Sequence, residues 1–390
     1  MRQRAIQAAA VVVAWLAAVT PAAAQGLNDV LGGLLSNQCG ALGGVSGTYG
    51  PQLAAICGAA PASTGAGGGG TSTMDTRSGQ YGEERRLYRR LQERREQAAS
   101  ADSALGGGFS LFASTEYQNI NKDNSRFETG FKQDTVGITL GGDYAFGALA
   151  VLGAAFDYAH EFGEYNDAGG YDNNKYGVFV YGSLTPLPRL FIDATVGYRR
   201  IDYDFDRRVT LNMLPAVFVK GPTTADTDGN EFRTGVNTGY DFVAGRFTFG
   251  PRLAVNYIYT EMDSFKESGN TGLELAYDRQ HQESLTTSVG MFGSMAISTG
   301  IGVFVPQATA EYVHEFLNDQ RDVHFRLLQD PQNRKFTFQT DTPDRDYVIV
   351  SIGTVLVLPN GLSPFINYRE LLGYKDRASH TVTAGLRFVF

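Results

Sequence analysis

From Phe109 to Phe390 large side chains recur at every second position, and this alternation limits the possible folds more than any other feature. Val136, Ile138, Leu140, Tyr144 and Phe146 interleave with Thr135, Gly137, Thr139, Gly141 and Asp143. Leu190, Ile192, Ala194, Val196 and Tyr198 alternate likewise with Asp193, Thr195, Gly197 and Arg199. A period of two gives a strand one apolar and one polar face. The pattern predicts twelve strands, at 109–118, 134–146, 148–161, 174–185, 189–205, 230–243, 246–261, 284–297, 302–316, 345–357, 362–371 and 380–390. Most are far longer than the ~5–6 residues usual in soluble sheets.

The connections alternate in length. Short turns fall near Gly147, Pro186-Leu187-Pro188, Ala244-Gly245, Thr299-Gly300 and Pro359-Asn360-Gly361. Long polar loops are expected at 119–133, 162–173, 206–229, 262–283, 317–344 and 372–379. A soluble sandwich has no reason to put every long loop at one end. A membrane barrel with an even strand count does, and closure removes the open edges that long strands would expose. The expected fold is therefore all-β, a 12-stranded antiparallel transmembrane β-barrel over 109–390. A polytopic helical membrane protein is excluded, because no apolar run after the first 20 residues approaches the ~18 a helix needs. A net charge of −8 argues against a nucleic-acid partner.

With the apolar face turned to lipid, the other face lines a polar lumen. It should carry Glu116, Asp143, Asp157, Asp193, Arg199, Arg233, Asn237, Asp241, Arg252 and Asn256. Tyr117, Tyr158, Tyr198, Tyr259 and Tyr312, near strand ends, suit an interfacial girdle. Many of the 47 glycines fall on the lumen face or at the short turns.

The part before the barrel has its own order. Arg2 and Arg4, the apolar stretch 8–19, Pro21 and Ala22-Ala23-Ala24 form a secretory signal peptide over 1–24. Residues 25–81 are a short segment in which Cys39 and Cys57, exported to an oxidising compartment, are expected to form a disulfide. Two thiols without a nearby histidine do not complete a tetrahedral metal site. The tract 61–80 is a Pro/Ser/Thr/Gly linker, and its Gly67–Gly70 run lacks the Lys-Ser/Thr of a phosphate loop. Residues 82–108 comprise a charged helix and a connector. The helix bears Arg85, Arg86, Arg89, Arg90 and Arg94, with Leu87, Tyr88 and Leu91 its only large apolar side chains. It reads either as a solvated helix held by i,i+4 pairs or as a helix inside a wet, charged pore.

These features together resemble the autotransporter β-domain of type V secretion: twelve strands, a charged helix just upstream, and a last strand alternating to a terminal Phe390. The stretches Ala308–Phe316 and Ala384–Phe390 are similar too, and the resemblance covers residues 82–390. It implies an outer-membrane barrel that anchors and helps export the segment before it, with the helix threaded through the pore. It also implies that Leu386, Phe388 and Phe390 form the signal read by the outer-membrane barrel assembly machinery. Parity then puts both barrel ends in the periplasm and residues 25–81 outside the cell. Only a short segment precedes the helix here, whereas family passengers are commonly far longer. Ala98–Ser103 contains no asparagine, the residue used by members that cleave their passenger in the pore. The segment is thus expected to stay attached, and the protein to be a monomer in outer-membrane lipid.

The same residues bear on other activities. A channel with a helical plug fits the pattern, and an outer-membrane hydrolase fits less well. His281 with Ser284, Glu311 with His314, and His160 with Glu161 are the pairs a hydrolase could use, beside His324 and His380. Histidine near an aromatic belt is ordinarily interfacial, so no enzyme is expected. Asp341, Asp344 and Asp346 lack the glycine and terminal glutamate of a calcium loop. No metal or cofactor is expected.

Overall fold

A computed structural model describes residues 65–67, 83–100 and 108–390, apart from 126, 167–168, 214–216 and 331–332. The signal peptide, Cys39, Cys57 and nearly all of 25–81 lie outside the described residues. A helix, α1 (Glu83–Ser100), precedes twelve long strands. These are β1 (Phe109–Lys122), β2 (Phe131–Phe146), β3 (Ala150–Tyr165), β4 (Gly169–Leu187), β5 (Leu190–Met213) and β6 (Val217–Tyr240). They continue as β7 (Phe247–Met262), β8 (Gln280–Met295), β9 (Val303–Glu315), β10 (Asp346–Val357), β11 (Leu362–Leu372) and β12 (Arg377–Val389). Each pairs antiparallel with its chain neighbours, and β12 returns to β1 with Ser110 opposite Val389 and Lys122 opposite Arg377. The result is a closed 12-stranded antiparallel barrel.

The alternation seen in the sequence is the barrel wall. Along β1, Leu111 and Tyr117 point out and are exposed, while Ser110, Ser114, Glu116 and Gln118 point in and are buried. The exposed exterior is a band of Val, Ile, Leu and Phe, as a lipid contact requires. Its two rims differ. At the short-turn end the girdle is phenylalanine-rich, with Phe109 against Phe390 and Phe242 against Phe249. At the long-loop end it is tyrosine, and four of the hydroxyls have a polar partner toward the loops. Tyr117 donates to Asp134 at 2.5 Å, Tyr158 to Asn174 at 2.8 Å, Tyr198 to Asn230 at 2.6 Å and Tyr259 to Glu261 at 3.0 Å. A ring with one apolar body and one satisfied hydroxyl suits a boundary that is dry on one side. The short turns need tight reversals, and Gly147 and Gly245 supply them with φ of +62° and +63°.

Two of the expected long loops are instead folded, and a third is a strand extension. Residues 206–229 were expected as loop, yet β5 and β6 stay paired through them as far as Met213 opposite Val217. The outward side of this hairpin carries Asp202, Asp204, Asp206 and Arg208, which gives it a loop-like composition, while Tyr203, Phe205 and Ala225 face inward and are buried. What buries them is a four-stranded sheet from Phe265–Lys266, Leu275–Tyr277, Asp322–Leu327 and Phe336–Gln339, drawn from the expected loops 262–283 and 317–344. Phe265, Leu275, Tyr277, Val323, Phe325, Leu327 and Phe338 form one apolar cluster with Ile201, Tyr203 and Phe205. Each fully buried side chain of that size contributes about 1.5–3 kcal/mol, so the cluster holds a stable cap over one side of the mouth.

Candidate functional site: the helix in the barrel lumen

At ~1.5 Å per residue, the 18 residues of α1 span about 27 Å, close to the ~25 Å apolar band of such barrels. The helix lies inside the barrel. Leu87 and Leu91 are buried against Ala155, Phe179 and Tyr181 on β3 and β4. Tyr88 donates to Asn256 Oδ1 on β7 at 3.1 Å. Leu87 and Leu91 thus form a narrow apolar stripe on one wall, and Tyr88 reaches the opposite one.

The arginines supply the rest of the seat. Near the short-turn end, Asp143 on β2 accepts from Arg90 Nε at 2.8 Å and lies 2.9 Å from Arg94 Nε. Arg90 also donates to Ser110 Oγ, and Arg94 Nη2 to the Gly108 carbonyl at 3.0 Å. Arg95 Nη1 reaches Asp193 Oδ1 on β5 at 2.5 Å and Ser183 Oγ at 3.0 Å, with its guanidinium 3.6 Å from the Phe191 ring centroid. Higher in the pore, Arg86 meets Thr139 Oγ1 at 3.1 Å and Glu116 Oε2 at 3.6 Å, and Arg85 pairs with Glu311 on β9. Arg89 turns toward the other wall, where it lines a gap of about 60 Å³ with Arg369, Asn237 and Asn256.

Wall-to-wall pairs complete the lumen. Arg252 Nη2 lies 2.5 Å from Asp241 Oδ1, and Asn237 Nδ2 donates to Asp193 at 3.1 Å. Beyond the helix, Arg199 bridges Asp157 at 2.6 Å and Glu231 at 3.1 Å, while Arg233 Nε donates to Glu231 at 2.5 Å. Glu161 then takes Lys175, Asn173 and Gln133 at 2.7–2.8 Å. Buried charges are costly unless paired and hydrogen-bonded, and this lumen is a stack of such pairs.

Glu116, Asp143, Asp193, Arg233, Asp241 and Arg252 thus all face the interior. Glu116, Asp143 and Asp193 touch the helix, whereas Arg233, Asp241 and Arg252 pair within the wall. Arg95, Arg369 and Arg387 also line the lumen and were not singled out from the sequence, and Glu311 enters there only as a partner for His314; the same two-residue parity includes all three wall residues. Leu386, Phe388 and Phe390 point outward and exposed, and the Phe390 amide bonds the Phe109 carbonyl at 3.1 Å across the closure seam.

The histidine pairs are split by the strand geometry. His281 faces out whereas Ser284 faces in and bonds Glu315. Glu311 and His314 lie on opposite faces of β9, as His160 and Glu161 do on β3. His314 instead accompanies Asp346 at 2.7 Å on the outer surface. Among the described residues no cluster of His, Cys, Asp and Glu could hold a metal ion.

An apolar exterior, a charged lumen and the chain's own helix inside that lumen define a transmembrane barrel of the outer-membrane kind. The sequence matches the Autotransporter beta-domain family over residues 111–369, and the chain belongs to that family. The fold is similar to the translocator domain of the autotransporter NalP from Neisseria meningitidis. That match has a TM-score of 0.58 and 15% identity, and it covers 79% of this chain and 98% of that one. It is similar also to the beta domain of the Bordetella autotransporter Brka, with TM-score 0.52, 15% identity, and coverage of 73% and 100%. No curated protein sequence matches the chain.

Proposed function

We propose that this outer-membrane barrel anchors and exports its own short N-terminal segment, with α1 as the part of the exported chain that remains in the pore. The observation that supports it most is the direction of the chain. Ser100 leads to Phe109 at the short-turn end, and Arg86 stands higher in the pore beside Glu116. Gly65–Gly67 pairs with Thr210–Asn212 near the tip of β5, beyond the long-loop rim. A chain with one flank at each end of the barrel is the arrangement that export through the pore would leave. In this reading the short turns are periplasmic and the signal peptide directs entry to the periplasm. The strand bearing Leu386, Phe388 and Phe390 engages the barrel assembly machinery. The barrel acts as a monomer in outer-membrane lipid, with no nucleic-acid partner, cofactor or catalytic centre. Residues 25–81, with Cys39 and Cys57 bridged, stay attached at the cell surface.

A tag inserted after Gln25 and probed with protease on intact cells tests this. Cleavage is the expected result, and an untouched tag puts the segment in the periplasm and ends the export reading. The second reading, a channel with a helical plug, is favoured by the polar gap between α1 and the β6–β11 wall. Planar-bilayer conductance compared with a chain lacking residues 82–100 checks the plug. Deletion should raise conductance, and an unchanged value means no helix occupies the pore.

A further inference from the structure

Four of the five histidines stand on the outer face of the barrel near the long-loop rim: His160 on β3, His281 on β8, His314 on β9 and His380 on β12. Their placement repeats. Tyr158 and Tyr312 precede His160 and His314 by two residues. Tyr259 and Tyr368 precede by two Glu261 and Glu370, the residues opposite His281 and His380. Two residues of strand cover about 7 Å, so all four imidazoles lie one step to the loop side of the tyrosines. That step leads from the aromatic belt into the headgroup layer.

Each ring also faces one carboxylate. His160 Nδ1 lies 3.4 Å from Asp172 and 3.2 Å from Asn174 Oδ1, and His314 Nδ1 lies 2.7 Å from Asp346 Oδ1. His380 Nδ1 is 2.8 Å from the Tyr368 hydroxyl and 3.9 Å from Glu370, while His281 stands opposite Glu261 and stacks on Tyr259. None of the four Nε2 atoms bonds another of the described residues. Other charges near them are few. Asp134 stands two residues from Val136, which is opposite His160, Arg279 and Glu283 flank His281, and Arg345 precedes Asp346. Thr287 and Asn119, the remaining cross-strand neighbours of His314 and His380, are uncharged.

The atoms that His160 and His314 meet are acceptors, so Nδ1 carries the proton of the neutral ring and Nε2 presents a lone pair. Beside a carboxylate that is not neutralised, such a lone pair repels an anionic headgroup. Histidine is the side chain that ordinarily changes charge between about pH 5 and 8. Once protonated, the ring offsets its carboxylate and turns Nε2–H outward as a charge-assisted donor.

We propose that this histidine belt binds the phosphate groups of anionic lipids, and holds them more tightly in mild acid than at neutral pH. The occupant follows from continuity with the apolar band, because the groups within reach of the belt are the headgroups of the leaflet that covers that band. The inference needs the barrel to span a membrane and is independent of whether residues 25–81 are exported. The tag experiment and the one below can therefore fail separately.

The test uses the full chain in uncharged detergent, with phosphatidylglycerol as the probe, since its phosphodiester keeps one charge throughout this pH range. Native mass spectrometry should show several-fold more bound lipid per barrel at about pH 5 than at about pH 8. Combining His160→Gln, His281→Gln, His314→Gln and His380→Gln should abolish that difference. His324→Gln should keep it, because His324 lies in the cap beside Thr337. Equal binding by wild type at both pH values overturns the proposal. A difference that survives in the fourfold variant overturns it too, since general charge would then be the cause. So does tighter binding at the higher pH that magnesium supports and a chelator removes, which would assign the lipid to cation bridges from the carboxylates. If the fourfold variant does not fold, the imidazole resonances of wild type decide. Phosphatidylglycerol should move the titration of the four outward rings to higher pH and leave His324 in place, and an equal shift of all five overturns the proposal.

Discussion

Asp143 on β2 receives Arg90 Nε at 2.8 Å and faces Arg94 Nε at 2.9 Å, so one carboxylate joins successive turns of α1 to the barrel wall. Tyr181 also donates to it, at 3.1 Å. Removing its charge leaves two buried guanidiniums without their shared partner. Breaking a buried pair in this way costs about 3–5 kcal/mol. Asp143→Asn is therefore expected to unseat the helix while the barrel stays closed. The readouts are a rise in single-channel conductance and faster tryptic cleavage within 83–100. A conductance equal to wild type would mean that the apolar stripe alone holds the helix.

Gly235 on β6 tests the same seat by shape. A Cβ there would run into the Tyr88 hydroxyl and the Asn256 side chain. Gly235→Val should destabilise the seat by roughly 1–3 kcal/mol, the usual cost of overpacking. Tyr88→Ala in the same chain should recover part of that loss, because it reopens the space from the helix side. Additive effects of the two changes, measured by proteolysis of α1, would place the clash elsewhere.

The cap should come loose without the barrel. Phe325 is 1% exposed at the centre of the cap cluster, in contact range of Tyr277 and Phe338. Phe325→Ala should cost about 3–5 kcal/mol. Limited proteolysis is then expected to cut within 263–279 and 317–345, while the heat-resistant mobility of the folded barrel on gels is retained. Loss of that mobility would show that cap and barrel fold as one unit.

The outward face of the β5–β6 hairpin should prefer mild acid. Asp204 stands directly opposite Asp172 on β4 and Asp226 on β6. Its partial burial, and then the charges of Asp172, Asp226 and Asp202, hold its carboxyl above the usual carboxylate range. The folded state therefore binds that proton more readily than the unfolded chain. Hairpin stability should rise as pH falls through the raised value and be lower at neutral pH. Asp204→Asn should slow amide exchange around 201–207 at pH 7 and flatten its pH dependence. Faster exchange in the variant would contradict this.

Asp346 at the start of β10 has the opposite sign. Tyr312 and His314 hydrogen-bond its carboxylate and hold it below the usual range. Its contribution is present at neutral pH and fades as pH falls through that lowered value. Asp346→Asn should therefore loosen the outer end of β9 at pH 7 and make little difference in strong acid, as amide exchange near Tyr312 would report. Equal exchange at both pH values would leave this carboxylate without a structural role.

The sequence by itself determined the barrel. Alternation over long strands has one stable outcome in a membrane, because closure is the only way to pair every backbone group. The same parity assigned each lumen residue to the interior, since a one-residue slip would turn Asp143 or Asp193 into lipid. It did not determine which charges meet. Arg90 could have faced any acid on the wall, and only the rotation and depth of α1 in the closed barrel brought it to Asp143. Nor could it tell the cap from loops. Residues 262–283 and 317–344 are short apolar fragments among polar ones, and their alternation, as at Val323, Phe325 and Leu327, runs over too few positions to stand apart from loop. Each buries its apolar side only against the other and against the inward face of β5 and β6, so their structure exists only once the barrel has set those three surfaces together. The helix shows the same division. Its arginines and short apolar stripe were legible, but a helix with so little to bury is stable there because the tertiary fold surrounds it with carboxylates.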